Sequence, residues 1–233
     1  MKISTKLNDL LKVEHPIMLA GMAGVAYSEV CAAVSNAGGY GTLGAANMSV
    51  KEISEEAKKV RELTDKPFGI DLLSPVPDQL EKGVDAIIDS GASSFIAGLG
   101  VPFPIIEKLH NAGLLVISMC GTVNHAIKAE EAGCDIVVAQ GTEAGGHTGK
   151  IGGMALIPQV VDAVKIPVVA AGSIIDGRGL AAALAFGAVG VWVGTRFIMS
   201  NEAHAHQDAK DHMLNSGIEA VSYTHLRAHE TCL

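Results

Sequence analysis

Apolar residues along this chain fall into short runs separated by longer stretches whose apolar positions repeat every three or four residues. The runs lie at 16–20, 40–44, 67–73, 94–97, 114–118, 136–139, 167–171 and 189–193. Few of them alternate apolar with polar residues, which is the pattern of parallel strands buried on both faces. The stretches between them predict helices at 28–37, 49–63, 79–90, 104–111, 124–132, 157–164 and 180–186. A lead-in helix is predicted at 8–13 and a last, polar helix at 201–215. The clearest is 49–63, where Val50, Ile53, Ala57 and Val60 form the apolar stripe and Ser49 with Glu52 reads as a capping box. Ser28 is expected to cap its helix, Gly133 to stop one, and Pro158 to lie in a first turn. Eight strand–helix alternations with short connections predict an α/β fold, a (β/α)8 TIM barrel, with a doubly wound open sheet as the alternative. Gly-rich phrases follow several strands and not the first alone, which favours the barrel.

Length and composition agree with one large domain. The chain has 233 residues, 48% of them hydrophobic, enough for a sizeable core. The net charge of -8, with no Lys/Arg block, argues against nucleic-acid or anionic-membrane binding, so any anionic ligand is held by local amides and one or two cations. Cys31, Cys120, Cys134 and Cys232 form no CxxC pair, as expected of a reduced, cytoplasmic protein. No run is long and apolar enough to predict a membrane span, and the N-terminus lacks the apolar core of a signal peptide.

Candidate chemistry gathers at the ends of the predicted strands. The sixth runs into Gln140-Gly141-Thr142-Glu143-Ala144-Gly145-Gly146-His147. Gly145 and Gly146 let the backbone approach a ligand, and His147 can donate, accept or take up a proton near neutral pH. By itself the stretch fits equally a Gly-rich turn with a solvated histidine. Gln140 could pair with a flat heterocycle or cap a loop, and Glu143 could be catalytic or brace the loop. Strand seven ends in Gly172-Ser173 and strand eight in Gly194-Thr195, where exposed amides favour an anion over plain turns. Asp71, Ser118 and Thr122 are further polar strand-end groups. No metal-binding cluster, P-loop or GxSxG elbow occurs. The GxGxxG string from Gly39 to Gly44 spans a strand instead of following one, so it is not a dinucleotide fingerprint. His110, His125, His204, His206 and His212 read as surface residues.

The phrases HPIMLAGMAG, AAVSNAGGYGTLG, DKPFGID, VVAQGTEAGGHTG, IPVVAAGSI and GVWVGTRF occur in this order. Together, from about residue 10 to 216, they resemble the nitronate monooxygenase (2-nitropropane dioxygenase) family and its close relatives, the flavin-dependent enoyl-acyl-carrier-protein reductases. The resemblance implies an FMN-binding barrel. Met22 and Ala23 would face the flavin ring with Gln140, Gly145 and Gly146. Gly172, Ser173, Gly194 and Thr195 would hold the phosphate, and His147 would be catalytic. Three positions depart from the family pattern. Asp71 stands where many members have Asn, and an ionised Asp can only accept a hydrogen bond. Gly21 stands for Pro, and Trp192 for Gln.

The expected activity is oxidation of nitronates or nitroalkanes with O2. The alternatives are NAD(P)H-dependent reduction of an enoyl thioester and a non-catalytic flavin-binding fragment. The partners implied are a small-molecule substrate (nitronate or enoyl thioester) and O2, and the oligomeric state is open. Residues 1–220 are expected to form the barrel, C-terminally truncated because family members continue into a segment that covers the site. Residues 221–233 fit no periodicity, and VSYTHLRAHET back-translates into sequencing-adapter DNA, so this tail is expected to be non-native.

Overall fold

The computed structural model describes residues 3–73 and 77–217. The expected division at residue 220 and the tail at 221–233 lie outside them. Eight parallel strands are β1 (Ile17–Leu19), β2 (Gly41–Gly44), β3 (Phe68–Leu72), β4 (Ser94–Ala97), β5 (Leu115–Cys120), β6 (Ile136–Gln140), β7 (Val168–Ala171) and β8 (Gly190–Val193). Neighbours in sequence pair side by side, and β8 pairs with β1. One parallel bridge, Met18 with Tyr40, joins β1 to β2, through Leu19 N–H to the Tyr40 carbonyl and Tyr40 N–H to the Ile17 carbonyl, both 2.9 Å. That bridge closes a (β/α)8 barrel and removes both sheet edges.

The helices are α1 (Lys6–Leu11), α2 (Ser28–Asn36), α3 (Val50–Leu63), α4 (Pro77–Asp89), α5 (Ile106–Asn111), α6 (Val123–Ala132), α7 (Gly153–Ala163), α8 (Gly177–Ala185), α9 (Thr195–Ile198) and α10 (Gln207–Asn215). Two apolar cores follow from the alternation of strand residues. One lies between strands and helices, with Phe68, Phe95, Leu43 and Ile70; the other fills the barrel, with Met18, Tyr40, Ile96, Ile117, Val138 and Trp192. Leu7 and Leu11 of α1 join the inner core, and Gly190 leaves the space that Leu7 fills: a Cβ there would lie 2.4 Å from its Cδ2. Helix α1 thus plugs the end of the barrel at which β8 begins, and the opposite end is the mouth.

Several local expectations needed correction. The helix at 28–37 starts at Ser28, but Tyr27 holds the cap position without a side-chain bond; the Glu56 carboxylate from α3 accepts from Ser28 N–H at 3.0 Å instead. The Ser49–Glu52 capping box is present, but Val50, the first residue of α3, is 40% exposed and lies outside the buried stripe of Ile53, Ala57 and Val60. Helix α7 begins four residues before the expected start, so Pro158 is internal to it. The carbonyl that Pro158 leaves unbonded belongs to Met154, which is 76% exposed, so water can take the place of the missing N–H. The long polar helix expected at 201–215 is only α10, and the short α9 precedes it; between them Lys210 Nζ donates to the carbonyls of Ser200 and Ala203. The glycines of the Gly39–Gly44 string serve packing, for a Cβ on Gly41 would lie 2.0 Å from the Cys31 carbonyl of α2. His110, His125, His204, His206 and His212 are exposed, as expected.

Candidate functional site

The loop after β6 is built from its base outward. Thr142 N–H donates to the Ile151 carbonyl at 2.9 Å and closes it. Both Glu143 oxygens accept from Gly153 N–H, at 2.8 and 3.0 Å, at the start of α7, whose N-cap Gly152 has no side chain to do so. Glu143 therefore braces the loop. Gly149 lies against Gly121 beyond β5, since a Cβ on it would meet the Gly121 carbonyl at 2.5 Å. Gln140 Nε2 donates to the Gly145 carbonyl at 3.1 Å, which fixes the side of the loop nearest the barrel. The tip presents Gly145, Gly146 and His147, all exposed. Gly146 has φ 76, a left-handed conformation that favours glycine, and no atom lies within 4 Å of a Cβ built on either glycine.

The ends of β7 and β8 supply the next part. Ala171 pairs with Trp192, so Gly172-Ser173 and Gly194-Thr195 emerge from adjacent strands at the same end. Gly172 has φ 112 and Ser173 has φ 52, and Ser173 is one of two non-glycine residues with positive φ among those described. Positive φ in a non-glycine residue is a strained conformation of the kind that clusters at functional sites. Gly194 caps α9 without a side chain, which leaves first-turn N–H groups of Thr195 and Arg196 without a side-chain cap. Gly172 also touches the β6 loop: a Cβ on it would sit 3.3 Å from Ala144 N. Further along, Asp176 caps α8 by accepting from Arg178 and Gly179, and the Arg178 guanidinium beside it holds its carboxyl down at about 2.

A third cluster brings together residues from β1, β2, β3, β4 and β8. Met22 is half-buried, and a Cβ on Gly44 would meet its backbone at 2.4 Å, one on Gly194 its sulfur at 3.4 Å. Ala23 beside it is exposed. Asp71 is 7% exposed at the end of β3, and burial pushes its carboxyl up to about 8. Thr42 Oγ1, buried on the neighbouring strand, has no hydrogen-bond partner among the described residues. The strand-end residues expected from the sequence thus meet in two groups, Gln140–Gly145–Gly172 and Met22–Asp71–Gly194. Ser118 has a buried hydroxyl without a partner among the described residues, but its neighbours Ile117 and Met119 belong to the inner core, so it faces the helices and not the mouth. Thr122 caps α6 by accepting from His125 N–H at 3.2 Å. Gly21 and Gly98 flank Asp71 and belong to the site although neither carries a polar side chain. Gly21 had a signal, its departure from the family pattern; Gly98 had none.

Trp192 lies 7% exposed in the inner core, so at that position an indole packs where the resemblance would place an amide. Among the described residues, no group of three or more His, Cys, Asp or Glu side chains is placed to hold a metal, and no helix is long and apolar enough to cross a membrane.

The fold and its mouth define a (β/α)8 barrel with glycine-bearing turns after strands seven and eight and polar groups converging from strands three and six. More particularly, the chain belongs to the nitronate monooxygenase family, whose model matches residues 4–85 and 79–229. It is 41% identical over 217 residues to (3aS,4S,5R,7aS)-5-hydroxy-7a-methyl-1-oxo-octahydro-1H-indene-4-carboxyl-CoA dehydrogenase of Rhodococcus jostii, a match covering 93% of this chain and 61% of that protein. The chain therefore spans less than two thirds of that relative. It is 38% identical over 253 residues to a probable nitronate monooxygenase of Staphylococcus saprophyticus, covering 89% of this chain and 71% of the other. The solved structure of FabK from Thermotoga maritima superposes with a TM-score of 0.90 at 38% identity, over 93% of this chain and 69% of that one.

Proposed function

We propose that the protein is an FMN-dependent oxidoreductase that oxidises nitronates or nitroalkanes with O2. The observation that supports this reading is the positive-φ turn at Gly172-Ser173 beside the start of α9 at Gly194-Thr195, on a barrel of this family; together their backbone N–H groups would seat one phosphate. The residues present fit the cofactor. The turn offers backbone N–H groups, Gly145 and Gly146 leave open space beside the loop, Thr42 Oγ1 is buried without a partner among the described residues, and the Asp71 side chain is 7% exposed with no donor among them. Met22, Ala23, Gln140, Gly145 and Gly146 would border the ring system, Asp71 would reach it from β3, and Gly172, Ser173, Gly194 and Thr195 would hold the phosphate. Bound FMN supplies the redox chemistry, taking electrons from the substrate and passing them to O2. The chain's own part is binding, orientation and proton transfer. His147, at the exposed tip of the β6 loop, takes the proton from the carbon α to the nitro group and turns a neutral nitroalkane into the nitronate. Gln140 and Glu143 hold that loop in place.

The similarity to FabK, an enoyl-ACP reductase, favours a second reading, reduction of an enoyl thioester by NAD(P)H through the same flavin. One experiment separates them. The protein is purified, its cofactor is extracted and identified, and the loaded enzyme is mixed anaerobically with a nitronate or with NAD(P)H in a stopped-flow instrument. FMN with rapid bleaching by nitronate is expected. Bleaching by NAD(P)H alone would establish the reductase, extraction of FAD would refute the cofactor assignment, and no turnover with either reductant would leave a flavin-binding protein without these activities.

A further inference from the structure

Asp71 sits where, among the described residues, an ionised carboxylate has nothing to compensate it. Its side chain fills the space of two absent ones: a Cβ on Gly21 would lie 2.2 Å from its Cβ and 2.3 Å from Oδ2, and one on Gly98 2.6 Å from Oδ1. Its strand neighbours are Gly44 and Ile96. Burial is the single influence on its proton, with no hydrogen-bond donor or charged group acting on it among the described residues. A buried carboxylate without partners is strongly disfavoured, and the neutral acid is the form such a site keeps. That form carries one donor and one acceptor, the same pair that an asparagine amide presents. The glycine at 21 makes the room that this acid occupies.

We infer that Asp71 stands in the barrel mouth as a neutral carboxylic acid and donates its proton in a hydrogen bond to the ring system of FMN. The inference rests on the cofactor reading above. Ionising the carboxyl removes the donor and leaves a negative charge in the same place, so cofactor affinity falls as pH rises. Burial supports the neutral form, pushing the carboxyl up to about 8. The residues packed on it, Gly21, Gly44, Ile96 and Gly98, carry no titratable group. The nearest titratable side chain on the inner face of these strands is Tyr40, two inward positions below Gly44. Its phenol is bonded to Ser93 and Ser94, and burial first of all pushes it up to about 12, so it stays neutral throughout.

The test is titration of the FMN-free protein with FMN from pH 6.5 to 9.5, followed by flavin fluorescence, for the wild type, Asp71→Asn and Asp71→Leu. In the wild type Kd is expected to rise about ten-fold for each pH unit above about 8, the signature of one linked proton. Asp71→Asn should bind as tightly as the wild type at pH 6.5 and keep only the shallow pH dependence of FMN itself. Asp71→Leu should bind weakly throughout. Absence of FMN binding at every pH in all three proteins sinks the cofactor reading and this inference together. Tight wild-type binding that ignores pH, or the same steep dependence in Asp71→Asn, leaves the cofactor reading standing and overturns this inference alone. If the variants fail to fold, infrared spectra of the wild type decide: a protonated-carboxyl band at pH 6.5 that shifts on adding FMN supports the donor, and its absence refutes it.

Discussion

Removing the Glu143 carboxylate separates bracing from chemistry in the β6 loop. Its two oxygens hold one N–H, that of Gly153, at 2.8 and 3.0 Å, and Gly153 itself is buried. In Glu143→Ala that N–H loses its partner, a cost of about 1–3 kcal/mol. The negative charge at the first turn of α7 is lost too, worth about 0.3–1 kcal/mol at an exposed position. Because Glu143 is exposed and water can reach part of the gap, the sum falls near the lower end, about 2 kcal/mol. For a chain of this size that is a fall in Tm of roughly 4–8 °C. Glu143→Gln keeps an acceptor and should lose less than half as much. The assay is thermal unfolding at pH 7, read beside proteolysis in the 141–152 loop, which should be cut faster as its tie to α7 goes. A Glu143→Ala protein that melts within a degree of the wild type, yet has lost turnover once loaded with FMN, would refute the bracing role and put the carboxylate in the chemistry.

Two further outcomes are expected. His147→Ala should retain FMN and lose about 10²–10⁴-fold on neutral nitroalkanes, with a smaller loss on pre-ionised nitronate, whose proton is already gone; equal losses in steady-state assays of both substrates would argue against a base. The second concerns stability and pH. Asp71 has its folded-state carboxyl raised from 3.8 to about 8, so between those values the folded protein binds one proton more than the unfolded chain. The stability linked to that proton is present in full below about pH 4 and is lost as pH rises toward 8, at about 1.4 kcal/mol per pH unit. Melting curves of the FMN-free wild type and Asp71→Asn from pH 5 to 8 should therefore diverge, the wild type falling more steeply; parallel curves would show that Asp71 is ionised in the folded state.

The barrel was legible in the chain because strand burial and helix periodicity are local properties. Continuous apolar runs at 136–139 and 167–171 can be satisfied only by a sheet covered on both faces, and eight of them separated by helices leave room for little besides a closed barrel. The positions of Gln140, Gly145, Gly172 and Gly194 at strand ends were legible for the same reason. Local signals failed where a distant group did the work of a local one. Ser28 looked like a cap, but the cap is Glu56 from the next helix. Pro158 looked like a helix start, but Glu143, ten residues before Gly153, fixes the start from across a loop. Asp71 marks the limit most sharply. The sequence by itself showed an acid where an amide was expected and left it an ionised acceptor. Only the tertiary structure, by packing Gly21 and Gly98 against that acid and leaving it 7% exposed, decided that its neutral form is favoured, because the cost of a buried charge depends on what surrounds it and not on its place in the chain.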